Sequence, residues 1–376
     1  DPKGPVEITA EVDLNEGCSI CWDGLRYPVQ DLTGHLKIQP NQWTFTGMKG
    51  RNGTATIAAD GQVKKIGRGV RDIAATIHLR ADHLPFEQQL RNALPDQWQA
   101  TWATLNPSGF SRVDAEIETG PGREPHYHLK IVPEPAETRI QLVLAPPQGA
   151  PPSARAVTLP PMETVAGTFL YDDGTIDMTD VTFVFREAPV RFKRGQVVVD
   201  GNGAFRMGVK DLLVTKLRLD AELRQRMPPV MAQFAQRLDD GKSFWIRGDL
   251  RIAWSGQPGT PARCEWQNTT LVLNGNTIQS GVPLEQLQGQ VDNVWGASDG
   301  RGIELHGTVR LASVRLLGQQ ITELETPLVV AEGRATLENI QAKVLGGRVF
   351  GSIALSLDEM PHYHADLQLV GADLSR

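Results

Sequence analysis

A seven-residue segment returns three times in this chain: Pro28-Val-Gln-Asp-Leu-Thr-Gly34, Pro161-Met-Glu-Thr-Val-Ala-Gly167 and Pro283-Leu-Glu-Gln-Leu-Gln-Gly289. The shared pattern is Pro, apolar, two variable residues, apolar, one variable residue, Gly. The copies are 133 and 122 residues apart, about one domain's length, so each is expected to open a module. Longer stretches stay in register with it. Phe86-Glu-Gln-Gln-Leu-Arg-Asn-Ala-Leu-Pro95 aligns at the same spacing of 133 with Leu219-Asp-Ala-Glu-Leu-Arg-Gln-Arg-Met-Pro228, and Pro125-His-Tyr-His128 is echoed by Pro361-His-Tyr-His364. The expected modules are 1–150, 151–280 and 281–376. Ala145-Pro-Pro-Gln-Gly-Ala-Pro-Pro-Ser-Ala154 reads as the linker between the first two.

Within the modules the dominant pattern is alternation with period two. In Ile303-Glu-Leu-His-Gly-Thr-Val-Arg-Leu311 the odd positions are apolar or Gly and the even ones polar, the pattern of a strand with one buried and one wet face. Val6 to Leu14, Val113 to Ile117, Ile140 to Leu144 and Leu250 to Trp254 behave alike. Turn sequences such as Asp172-Asp-Gly174, Asp200-Gly-Asn-Gly203 and Asn274-Gly-Asn276 separate the strands, which predicts antiparallel meanders.

Two stretches change period. Phe86, Leu90, Leu94, Trp98, Trp102 and Leu105 form a helical stripe interrupted by Pro95, and Leu219, Leu223, Met227, Met231, Phe234 and Leu238 form another interrupted by Pro228-Pro229. Short broken helices are therefore expected near 85–105 and 219–239, lying across the edge or mouth of a sheet.

Composition narrows the function classes. Across 376 residues, 38 Lys and Arg stand against 44 Asp and Glu, with no basic stripe, so nucleic acid is not an expected partner. No apolar run is long enough for a membrane span, and the opening residues do not read as a signal peptide, so the chain is expected to be an excised piece of a longer protein. Three Cys exclude a disulfide framework. Cys18-Ser-Ile-Cys21 has redox or zinc spacing but no second pair, so a local disulfide or two ordinary strand residues is the simpler reading.

Catalytic motifs are missing: there is no nucleophile elbow, phosphate-binding loop, dinucleotide fingerprint or metalloprotease helix, and no cofactor is called for. His126 and His128 would share one strand face and could bind zinc or copper together. With no third ligand nearby in sequence, a solvated face is the simpler reading and no metal site is expected. Scattered carboxylates do not by themselves make an acid and base pair. The eight Trp, among them Trp43, Trp98, Trp102, Trp254 and Trp295, suit core packing, or rings set against an acyl chain or a sugar.

The end of the third module carries a resemblance. Leu337-Glu-Asn-Ile-Gln-Ala-Lys-Val-Leu-Gly-Gly347-Arg-Val-Phe-Gly351-Ser-Ile-Ala-Leu355, then Tyr363 to Leu369 and Ala372-Asp-Leu374, resembles the C-terminal region of AsmA-like proteins, relatives of TamB and of the repeating β-groove, bridge-like lipid-transfer proteins. Leu32-Thr-Gly-His-Leu-Lys-Ile38 is similar to the same family more weakly.

The resemblance implies a mainly β fold: a long twisted antiparallel sheet curled into an open groove built from repeated modules, apolar inside and polar outside. It implies a periplasmic location, an inner-membrane anchor outside this piece, and phospholipid or another acyl lipid as cargo. Candidate groove residues are Ile303, Leu305, Val309, Leu311, Val349, Ile353 and Leu355. At about 0.8 kcal/mol per buried CH₂, a 16-carbon chain gains on the order of 10 kcal/mol, so such a groove needs no special chemistry. The alternatives are a structural or assembly module that moves no lipid, and an enzyme acting on envelope glycans.

Overall fold

A computed structural model describes residues 8–22, 25–67, 72–123, 125–144, 157–158, 160–199, 204–226, 235–238, 241–255, 260–358 and 362–373. The chain is mainly β, a long antiparallel sheet that does not close into a barrel, and the helices among the described residues are short. It divides into two compact units, Asp1–Pro146 with Ala150–Phe183, and Val184–Arg376. The expected linker at 145–154 lies outside the described residues.

The first unit runs β1 (Ala10–Trp22), β2 (Leu25–Gln39), β3 (Gln42–Asn52), β4 (Ala55–Lys65), β5 (Ile73–Pro85), α1 (Gln88–Ala93), α2 (Asp96–Leu105), the two-residue β6 (Pro107–Ser108), β7 (Phe110–Thr119) and β8 (His126–Pro133). The short β9 (Arg139–Ile140), β10 (Val143–Leu144) and β11 (Val157–Thr158) follow, then β12 (Met162–Asp172) and most of β13 (Thr175–Phe185). Strands pair antiparallel in the order β1, β2, β3, β4, β5, β7, β8, β12. Alternation decides the faces: one cross-strand row reads Val12, Leu36, Phe45, Gly61, Ile77, Ile117 and Tyr127, while the opposite face carries Asp60, His78, Glu116, His128 and Asp172 in register.

The second unit runs β14 (Ala188–Val199), β15 (Phe205–Leu217), α3 (Ala221–Arg226), β16 (Phe244–Trp254), β17 (Arg263–Ser280), β18 (Val282–Ser298), β19 (Ile303–Leu316), β20 (Gln319–Ala331), β21 (Arg334–Val344), β22 (Gly347–Ser356) and β23 (Tyr363–Val370). Each strand from β14 to β23 pairs antiparallel with the next. One apolar row crosses seven strands as Val190, Val214, Ile246, Leu271, Val291, Val309 and Thr326.

The recurrent heptad is a bulge. Its fourth residue adopts the left-handed conformation in every copy (Asp31, Thr164 and Gln286, each near φ +50°), which interrupts the ladder and turns the fifth residue inward. That residue, Leu32, Val165 or Leu287, is buried. The closing Gly also has positive φ and is pressed against the next strand. A Cβ would stand 2.8 Å from Met48 Cα at Gly34, 2.9 Å from Val181 Cα at Gly167, and 2.7 Å from Leu311 Cα at Gly289. Only Gly fits such an approach.

Each heptad heads an equivalent run of elements. The runs are β2 to β5, α1 and α2, β7 and β8; β12 to β15, α3, β16 and β17; and β18 to β21, β22 and β23. In the third run a tight turn at Leu345-Gly346, both with positive φ, stands where the first two carry helices. The compact division falls inside β13, so the units do not coincide with the spacing of the heptads.

Candidate functional site: an apolar sheet face with helical covers

All seven groove candidates share one face of the second unit's sheet. Leu305 stands opposite Val330, which is opposite Ala335, then Leu355, then Tyr363. A neighbouring row reads Gly307, Leu328, Leu337, Ile353 and Ala365, and a third joins Ala342, Val349 and Leu369. Ile303 closes the row at Ser298.

Their surroundings divide the seven. Leu311 is buried and Val309 packs beside it in a cluster with Leu219, Ala235, Phe244, Leu273, Leu287 and Val314, to which Leu223 and Leu238 also belong. These two candidates are thus closed in by the chain's own helical segment. Ile303, Leu305, Val349, Ile353 and Leu355 are half-buried and stand outside that cluster. Toward β23 the same face becomes exposed at Leu367 and Leu369.

The cover of the second unit is held by polar contacts. Asp220 accepts a hydrogen bond from the Leu223 N–H at 2.8 Å, capping α3, and pairs with Arg186. Arg224 donates to the Leu238 carbonyl at 2.7 Å, and Leu238 bridges to Ile278 of β17. Met227, Met231, Phe234 and the Pro228-Pro229 interruption lie outside the described residues.

In the first unit the break falls where the sequence places it. Leu94, forced extended by the following Pro95, ends α1, and left-handed Asn106 ends α2. Leu90 and Ala93 are buried against Tyr27, Ala55, Ile57, Ala81 and Leu84 of the sheet. Trp98 meets Tyr127 and Tyr171 edge-on, with ring centroids 5.2 and 5.0 Å away, and Trp102 meets Phe86 at 5.6 Å. Both Trp therefore fasten the helical cover to the apolar face. Burial and the neighbouring Glu87, whose carboxylate accepts from the Tyr27 hydroxyl at 3.5 Å, push that phenol up to about 12.

Other residues singled out by sequence have different surroundings. Trp295 is on the polar face, stacked on His306 at 4.0 Å, whereas Trp254 packs with Phe205. Cys18 and Cys21 are not bonded to each other, and burial raises the Cys264 thiol. On the polar face carboxylates are paired with cations, as where Arg310 binds Asp292 at 2.9 Å and Glu325 at 3.1 Å.

The first His-Tyr-His acquires partners that sequence proximity did not reveal. Asp172 stands directly opposite His128, and the Asp173-Gly174 turn, both residues at positive φ, brings a second carboxylate within 2.6 Å of His126 Nδ1. That hydrogen bond, with Asp172 and Glu118 adding to it, raises the His126 pKa. No family model, curated protein or solved structure matches the chain. Among the described residues no helix is long and apolar enough to cross a membrane.

Proposed function

We propose that this protein binds phospholipids or other acyl lipids along the apolar face of its sheet and passes them between the membranes of a bacterial envelope. In this reading it is a periplasmic β-groove protein of AsmA-like type, anchored to the inner membrane by a segment outside this chain, and it catalyses no reaction. The observation that carries the proposal is the set of apolar rows through Leu305, Ile353 and Leu355, half-buried and continuous from strand to strand, with ion pairs on the reverse face. Acyl chains suit such a face, because they gain from contact with any apolar surface while headgroups stay in water.

The test is solvent extraction of the purified protein followed by mass spectrometry, together with uptake of a fluorescent phospholipid. Co-purifying lipid and saturable uptake are expected. Absence of both overturns the proposal.

A second reading, a structural or assembly module that moves no lipid, is favoured by the helical covers, since Leu311 and Val309 already have protein partners. It predicts that Leu305→Asp and Ile353→Asp unfold the protein, whereas a lipid-lined face would be emptied with the fold kept.

A further inference from the structure

The geometry points to a zinc-class metal site on the polar face of the first unit, formed by His126, His128 and Asp172 with Asp173 as its outer carboxylate. Three separate pieces of chain meet there: the polar side of β8, the end of β12, and the turn that follows β12.

The distances have two kinds. His126 Nδ1 and Asp173 Oδ2 are 2.6 Å apart, a hydrogen bond. His126 Nε2 is 3.6 Å from Asp172 Oδ1, and His128 Nδ1 is 3.7 Å from Asp172 Oδ2, too long for good hydrogen bonds. Ligand atoms sharing one tetrahedral zinc, each about 2.0–2.1 Å from the ion, stand roughly 3.3–3.5 Å from one another. Each of the two longer separations, which run to different oxygens of Asp172, is therefore close to that of one pair of metal ligands. His126, Asp172 and Asp173 offer ligand atoms mutually within 4.8 Å, and His128, outside that set, reaches it through its 3.7 Å approach to Asp172 and would close on the ion by turning its side chain.

The arrangement also supplies the outer contact that metal-bound imidazoles usually have. With His126 binding through Nε2, its Nδ1–H donates to Asp173, which fixes the ring and raises its basicity. His128 would bind through Nδ1, and Asp172 lies between the two rings. Three protein ligands leave a fourth position for water. Glu116, opposite His128, and Glu118, opposite His126, flank the site from β7 and keep its field negative. Two imidazoles with a carboxylate favour Zn²⁺, Ni²⁺ or Cu²⁺ over Ca²⁺ or Mg²⁺, which prefer all-oxygen shells. Binding requires no covalent change.

The test is calorimetric titration of the intact purified chain, freed of metal by chelator, with zinc sulfate and separately with calcium chloride. One zinc per chain and no calcium binding are expected. His128→Ala and Asp172→Asn are expected to abolish saturable binding, and Asp173→Asn to weaken it about 10- to 100-fold. His364→Ala, in the second His-Tyr-His on β23, is expected to bind as the parent does. These side chains are exposed, so circular dichroism should report unchanged folding in every variant. X-ray absorption of the zinc-loaded protein should show two imidazoles. No saturable zinc binding, or binding indifferent to His128→Ala and Asp172→Asn, overturns the proposal.

Discussion

Gly289 lies directly opposite Leu311 across the β18 and β19 ladder, so close that a Cβ on the glycine would stand 2.7 Å from the Leu311 Cα. Gly289→Ala should force the two strands apart, on top of the strain of φ +148°, and cost about 2–3 kcal/mol. Gly346→Ala, where a Cβ meets open space, should incur only the left-handed backbone cost of about 1 kcal/mol. Urea unfolding followed by tryptophan fluorescence ranks the two. Equal losses would mean that the close approach does not matter.

Thr164 holds φ +53°, a conformation poorly suited to a β-branched residue. Thr164→Asn should relieve about 1 kcal/mol without disturbing the bulge, and Thr164→Gly should do so with an offsetting gain in unfolded-state freedom. A thermal melt decides it: a lower midpoint for Thr164→Asn would show that the hydroxyl or methyl has an unrecognised role.

The groove candidates should separate by environment. Leu311→Asp buries an unpaired charge under the α3 segment and is expected to cost more than about 4 kcal/mol, enough to prevent folding. Ile353→Asp and Leu355→Asp, on the half-buried stretch, should fold and lose bound acyl lipid. Circular dichroism and lipid content measured on the same samples check both halves.

Trp98 fastens the first cover through Tyr127 and Tyr171. Removing both edge-on contacts in Trp98→Ala should cost about 1–3 kcal/mol locally. Limited proteolysis should then cut within 88–105 faster than in the parent, and an acyl-chain dye should bind more strongly to the uncovered face.

Tyr27 makes the fold sensitive to alkali. Its phenol is raised to about 12 in the folded chain against an ordinary value of 10.0, so its contribution is complete below pH 10 and is lost as pH rises from 10 to 12. Tyr27→Phe should flatten that part of the stability profile, as ultraviolet-monitored titration with parallel melts would show.

Alternation, the Asp172-Asp-Gly174 hairpin and Pro95 were legible because they are local: period two selects a strand, and Pro95 the end of α1. Asn274-Gly-Asn276, expected to be a turn, instead lies within the continuous β17, where it shifts the register against β18, and Asp200-Gly-Asn-Gly203 lies outside the described residues. The heptad could be recognised as a marker but not as a bulge, because left-handed Asp31, Thr164 and Gln286 belong to residue types with no common rule for that conformation. Its reason emerges only where Gly34, Gly167 and Gly289 meet the facing strand. Period two likewise put Leu311 and Leu305 on one face, but could not tell that helical residues close over the first and leave the second half-buried. The same limit hid the partner of His128. Asp172 is 44 residues away in the chain and opposite in the ladder, a neighbour made by strand pairing. What the sequence determined alone was the alternating faces, the recurring heptads and the helical interruptions, all set by spacings of a few residues. What tertiary structure alone decided was which parts of the apolar face are covered and which polar groups meet, because both depend on register between distant strands.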